Sequence, residues 1–166
     1  MKTEPAILVG TADHTVWVRV EGKGSFLNST GLKEFTKEMT NRGYREFVVD
    51  LQGCPVMDST FMGTLAFVAL RLRDLGQGEL RVINLNERNR DLLCNLGLDQ
   101  LFTVCDAVQA IAVTPAQPLP ADSTDKQTQR ETMLEAHEAA VAANPANAAK
   151  FKDVIEFLKQ DIHPVR

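Results

Sequence analysis

Hydrophobic and polar positions repeat at two different periods along this chain. Two β-rich runs, Ile7-Leu8-Val9 and Thr15-Val16-Trp17-Val18-Arg19-Val20, flank the turn-prone stretch Gly10 to His14 and predict a hairpin. After Gly22 and Gly24 the period lengthens. Asn28-Ser29-Thr30 offer helix caps, and Leu32, Phe35 and Met39 follow at helical spacing until Asn41-Arg42-Gly43 closes the helix. Phe47-Val48-Val49-Asp50-Leu51 is nearly continuous in apolar character, as expected of a strand covered on both faces in a parallel sheet.

Phe61 to Leu72 is apolar at almost every position, which suits a helix buried around most of its circumference, and Gly63 permits close packing there. It ends near Leu75-Gly76-Gln77-Gly78. Leu80 to Leu85 supplies another strand, Asn86 can cap a short helix from Glu87 to Leu96, and Gly97 is its stop. Leu101 to Cys105 adds a last short strand and Ala107 to Val113 a last helix. Strands alternating with helices of about ten residues argue for an α/β fold with parallel neighbours.

Residues 114–124 hold three prolines and no hydrophobic period, which predicts an extended, semi-rigid linker between a first domain at 1–113 and a tail at 125–166. In the tail, Thr124 to Ala143 is rich in Ala, Glu and Gln, and Asn144-Pro145 breaks the helix. Phe151, Val154, Ile155, Leu158 and Ile162 then form an apolar stripe on a second helix. Such a helical hairpin cannot bury two stripes alone. It must dock on its own α/β domain, on a different protein, or on a second copy to give a homodimer through the C-terminal helices.

Charge and composition narrow the function classes. A formal net charge of −4 argues against a nucleic-acid partner, because phosphate affinity rests on clustered Lys and Arg. The 12 basic and 14 acidic residues of 1–113, and the 6 and 8 of 114–166, leave neither part a charged tail. The N-terminus lacks the apolar core of a signal peptide, and no stretch approaches the ~20 apolar residues of a membrane span, so a cytoplasmic location without membrane insertion is expected. Cys54, Cys94 and Cys105 fit neither a disulfide framework nor a zinc pattern and read as buried free thiols.

Candidate chemistry concentrates in Asp50 to Gly63, where a buried strand and a turn lead to hydroxyl residues at the start of a hydrophobic helix. Ser59 has the place of a helix N-cap, where its oxygen would accept from a free backbone N–H and the helix dipole would favour a negative group. By spacing alone it is either a cap or a functional serine. Asp58 has the place of a helix N-terminal acid that orients the loop.

Val49-Asp50-Leu51, then Val56-Met57-Asp58-Ser59-Thr60 with Gly63 and Leu65, the strand Leu80 to Asn84, and Leu92-Leu93, Leu96-Gly97-Leu98 and Leu101-Phe102 together resemble a STAS domain of the anti-sigma factor antagonists, over roughly residues 6–113. The resemblance implies a STAS-like mixed sheet of about four to five strands flanked by helices, with the two-helix tail as an extension. It further implies a binding protein rather than an enzyme, with no cofactor or metal. Its phosphorylated serine falls on Ser59, with Thr60 as the alternate acceptor. It implies as partner an anti-sigma factor that is also a serine kinase of the histidine-kinase-like ATPase type, opposed by a serine phosphatase. Asp58, Ser59, Thr60, Phe61 and Met62 would form the partner-binding surface, together with Ser25 and Asn28 from the loop after the second strand. Phe61 and Met62 stand where many antagonists carry Gly and Leu, which predicts a bulkier loop mouth.

Enzyme motifs are missing: there is no Gly-x-Ser-x-Gly elbow, phosphate loop, dinucleotide fingerprint or His-Glu-x-x-His. A Ser59 nucleophile would need His14, His137 or His163 as a base in space. His137, near Leu134 and Val141 on its helix, reads instead as a packing or interface residue. The rival to a phospho-switch is a STAS scaffold, small-ligand sensor or accessory subunit of a transport complex in which Ser59 is never phosphorylated.

Overall fold

In the computed structural model, which describes residues 5–105, 117–119 and 125–162, the two N-terminal runs pair antiparallel as β1 (Ala6–Ala12) and β2 (Thr15–Glu21). The strands reach further into the turn than the sequence suggests. Only Asp13 and His14 remain between them, both in the left-handed region (φ 50° and 69°), as a two-residue hairpin turn requires. β3 (Glu46–Asp50), β4 (Glu79–Ile83) and β5 (Thr103–Cys105) add in parallel beyond β2. Gln117–Pro118, inside the expected linker, forms β6 against the outer edge of β1, where a proline is tolerated because its missing N–H faces away from the ladder. The sheet thus has six strands, in the order β5-β4-β3-β2-β1-β6, against the four to five expected. The helix predicted at 107–113 lies outside the described residues.

Helices α1 (Phe26–Asn41), α2 (Ser59–Asp74) and α3 (Glu87–Asn95) follow β2, β3 and β4. α1 starts earlier than the Asn28-Ser29-Thr30 signal indicates, because Ser25 is the cap. The Leu27 N–H donates to Ser25 Oγ at 3.2 Å, and Asn28 Oδ1 reaches back to accept from the Ser25 N–H at 3.0 Å. This reciprocal pair satisfies two N–H groups that the first turn would otherwise leave open.

Register decides which side of the sheet is covered. Ile7, Val16, Val18, Val20, Phe47, Val49, Leu80 and Val82 lie on one face and join Leu32, Met39, Phe61, Leu65, Leu72 and Leu93 of the helices in a single core. The other face of β3 carries Val48, whose register neighbours are Trp17 and Arg81, and Asp50, which pairs with Arg19 at 3.8 Å. β3 is therefore buried on both sides, but on one of them by cross-strand side chains rather than by the core helices. Of the cysteines, Cys54 is buried while Cys94 is exposed and Cys105 half-buried, so buried thiols are only part of the picture. Burial pushes the Cys54 thiol above its ordinary pKa.

The tail folds as α4 (Lys126–Ala143) and α5 (Asn147–Ile162), capped by Asp125 and broken at Asn144. The hairpin docks on its own chain. α4 lies over α2 and α1, and α5 packs on α4, giving a third layer above the sheet and the first helices. The α5 stripe is narrower than its sequence implies: Leu158 is buried and Phe151 and Ile155 half-buried, while Val154 is 41% exposed and Phe157, off the stripe, 67%. Among the described residues, no helix is long and apolar enough to cross a membrane.

Phe47, fully enclosed between sheet and helices, is expected to cost roughly 3–5 kcal/mol when replaced by Ala, while Arg81→Ala on the opposite face should stay within about 0.5 kcal/mol. Urea midpoints of the two variants against the parent protein measure both.

Candidate functional site

The loop after β2 and the loop after β3 are stitched together before either helix begins. The Gly24 N–H donates to Val56 O at 3.0 Å, and the Asp58 N–H returns to Gly24 O at 2.8 Å. Gly24 has no alternative here: a Cβ would sit 2.8 Å from the Phe61 ring, which packs directly beneath it. Asn89, fully buried on α3, holds the second loop from the other side, accepting from the Met57 N–H at 3.1 Å and donating to Cys54 O at 2.9 Å.

This stitching brings two helix N-termini to one carboxylate. Asp58 Oδ1 accepts from the Phe61 N–H at 2.8 Å, which makes Asp58, and not Ser59, the N-cap of α2. Its Oδ2 accepts from the Phe26 N–H at 3.0 Å, the first residue of α1. A negative group between two positive helix ends satisfies an open donor on each and favours both dipoles. Ser59 is displaced to the first helical position, with its hydroxyl outside the cap.

That hydroxyl meets the tail. Ser59 Oγ lies 3.0 Å from Nε2 of His137 on α4. Nδ1 of the same ring is 2.7 Å from Met133 O, and since a carbonyl only accepts, Nδ1 carries the proton. In the neutral ring Nε2 is then the acceptor and Ser59 donates. His137 is 3% exposed and stands edge-on to Phe151 of α5, ring centroids 4.8 Å apart. One helical turn beyond Ser59, a Cβ on Gly63 would lie 2.2 Å from Ala136 O, so the backbones of α2 and α4 touch there. Further contacts tie α4 to α1: Thr30 Oγ1 donates to Thr132 Oγ1 at 3.0 Å, and Lys33 pairs with Glu135 at 3.0 Å.

The residues singled out from sequence separate into two groups. Asp58, Ser59, Ser25 and Asn28 converge on one corner, where Ser25 is itself buried as the cap of α1 and Asn28 half-buried. Thr60, Phe61 and Met62 are at most 3% exposed. The expected bulky loop mouth is absent, because both large side chains point into the core, and Thr60 offers no accessible hydroxyl. The exposed apolar groups at this corner are Phe26 and Leu27, at 38% and 60%. The sequence offers His137 only as one of three histidines that could reach Ser59 in space and otherwise as a packing or interface residue; the structure places it on the serine hydroxyl. A partial spacing signal was present, since Ala136, Ala139 and Ala140 make a small-residue face beside the apolar Met133, Leu134 and Val141. Among the described residues no group of three or more His, Cys, Asp or Glu could hold a metal. His163 lies outside them.

Replacing Asp58 by Ala should cost about 2 kcal/mol, two caps at roughly 1 kcal/mol each, and Asp58→Asn about half as much, since one amide oxygen can serve only one of the helices well. Chemical denaturation of both variants gives the comparison.

The family model of the STAS domain matches residues 6–111. A Thermotoga maritima protein described as a candidate anti-sigma factor antagonist superposes with a TM-score of 0.56 at 18% identity, covering 60% of this chain and 85% of its own. The anti-sigma factor antagonist SpoIIAA in its unphosphorylated form gives 0.52 at 16% identity, over 62% of this chain and 89% of its own. The Bacillus cell fate determinant SpoIIAA in its phosphorylated form gives 0.52 at 16% identity, over 63% and 92%. At such identities the likeness is one of fold. No curated protein matches the sequence significantly.

Proposed function

The chain belongs to the STAS domain family, and we propose that it is an anti-sigma factor antagonist, a protein-binding switch set by phosphorylation of Ser59. The observation that carries this reading is the position of Ser59: first residue of α2, next to a carboxylate that caps two helices at once, with its hydroxyl outside the cap and exposed Phe26 and Leu27 beside it. Burial of Thr60 leaves Ser59 as the acceptor of the pair.

Unphosphorylated, the corner binds an anti-sigma factor that is also a serine kinase of the histidine-kinase-like ATPase type, and the sigma factor is freed. Transfer forms an Oγ–P bond, breaks the terminal phosphoanhydride of the kinase-held ATP, releases ADP and passes the hydroxyl proton to a base of the kinase. The new group carries a charge of about −1.5 to −2 beside Asp58, whose negative charge the two helix ends already neutralise in part. A surface that accepted the neutral serine then meets uncompensated charge, and the complex dissociates with no change of fold. A serine phosphatase restores the binding form. The chain itself performs no catalysis in this scheme and acts in the cytoplasm.

Phosphosite mass spectrometry on protein from its native cells should find phosphate on Ser59 and none on Thr60. Ser59→Ala should retain a kinase-type partner in a pull-down, and Ser59→Asp should lose about tenfold or more in affinity for it, the equivalent of 1.4 kcal/mol of repulsion. Absence of phosphate under all growth conditions, with both variants capturing the same partner equally, would sink the switch in favour of a scaffold.

A further inference from the structure

α4 lies across the corner that a partner of Ser59 would have to reach. Its His137 takes the Ser59 hydroxyl, its Ala136 backbone touches Gly63 one turn along α2, and its Thr132 and Glu135 hold α1. The far end of the hairpin is latched to the turn after α3, where Asn147 Nδ2 donates to Leu96 O at 2.8 Å and Asn144 Nδ2 to the same oxygen at 3.2 Å.

The chemistry of this layer differs from that of the core beneath it. The buried residues of α4 are Thr132, Ala136, His137, Ala139 and Ala140, small or polar in every case, and the large apolar side chains of the layer, buried Leu158 and half-buried Phe151, come from α5. Alanine removes little apolar surface from water, and hydroxyl, imidazole and ion pairs exchange for water with little net loss when the surfaces part. Asn147 Oδ1, on the side chain that forms this latch, is buried without a hydrogen-bond partner, a cost against the docked state. The sheet core, built on Phe47, Phe61, Leu65 and Leu72, has no such reason to open.

We propose that the α4–α5 hairpin is a releasable cover in cis over the Ser59 corner, so that docking of the hairpin and engagement of Ser59 by a kinase or binding partner exclude one another. The steric part follows from the backbone contact at Gly63: α4 cannot shift by the width of a phosphate or an inserted side chain without losing that contact and the His137 bond together. The chemical part follows from the tautomer. In the docked, neutral ring the Nε2 lone pair faces Ser59 Oγ, an acceptor that repels an anionic oxygen put in the same place. Occlusion and release are reciprocal, since whatever the hairpin hinders must by linkage weaken the hairpin.

The biological meaning rests on Ser59 as phosphoacceptor, but the test needs no kinase. In the full chain carrying Cys94→Ser and Cys105→Ser, Ser59→Cys places a thiol at the corner, while buried Cys54 reports global unfolding. A polymer-linked maleimide should label position 59 at least about tenfold faster when Ala136→Asp and Ala140→Asp are added, with Cys54 unlabelled, as expected when reaction requires local opening. Should that pair of changes expose Cys54, His137→Ala, which removes the contact at position 59 together with the edge-on contact to Phe151, takes their place. In a separate arm, Ser59→Glu should accelerate amide exchange across 126–143 and leave β2 and β3 unchanged.

Equal labelling rates with and without the loosening changes would overturn the cover. Slower or unchanged exchange in α4 of Ser59→Glu would also overturn it, the former by showing that a protonated His137 clasps the anion. Lack of phosphate on Ser59 in cells removes the switch proposed above while leaving both of these readouts intact, so the two ideas fail separately.

Discussion

Everything at the functional corner depends on one carboxylate shared between two helices. Asp58 binds the first N–H of α1 through Oδ2 and a first-turn N–H of α2 through Oδ1. Two helix N-termini pointing at one place would repel each other's partial positive charge, and a single anion between them turns that into attraction. The arrangement fixes the angle at which both helices leave the sheet, and therefore where Phe61, Leu65 and Leu32 enter the core. It also determines what Ser59 is. With the cap role taken by its neighbour, the serine hydroxyl is not consumed by the backbone and can serve something else.

In the described structure that something else is the tail. A Ser–His hydrogen bond half-buried between helices contributes on the order of 1 kcal/mol net, and each alanine methyl about 0.8 kcal/mol when fully buried. These are small increments beside a leucine or phenylalanine in the sheet core. Alanine also lets helices approach closely, and the Gly63–Ala136 contact is a result. A close, small-residue, partly polar interface forms with good geometry on the α4 side, while the α2 face beneath it carries Phe67 and Leu70. On α5 Val154 and Phe157 turn outward, so the hairpin is not apolar on its docked side alone.

How much of this was legible beforehand depended on whether the determinant was local. The strands of the first 105 residues announce themselves by β-branched runs, and the alternation of Val16, Val18 and Val20 gives the covered face directly. The Gly-rich segment before α1 hid Ser25, because a cap is recognised by what lies three residues on, and here the reciprocal residue is Asn28 rather than Glu or Gln. Asp58 and Ser59 are adjacent and both good caps, so a spacing that points to Ser59 does not exclude Asp58; the bond from the Phe61 N–H to Asp58 Oδ1 gives Asp58 the role. Phe61 and Met62 misled for a related reason. A residue near a loop reads as exposed until the packing partner, Gly24 for Phe61, is known. The placement of α4 was legible only in part, because an alanine face beside Met133, Leu134 and Val141 marks a docked side without naming the surface it meets.

Competition between a tethered cover and an external partner has a definite arithmetic. A partner that binds only the released form has its apparent dissociation constant raised by the inverse of the released fraction. A docking free energy of about 1.4 kcal/mol costs such a partner tenfold, and about 2.7 kcal/mol a hundredfold. In that range modest changes in either direction alter occupancy strongly. A hairpin built from leucines would hold the corner shut, and one without His137, Thr132 and Glu135 would not find it. On this view the alanine face is what keeps the cover within reach of displacement, and the three polar contacts are what aim it at the serine.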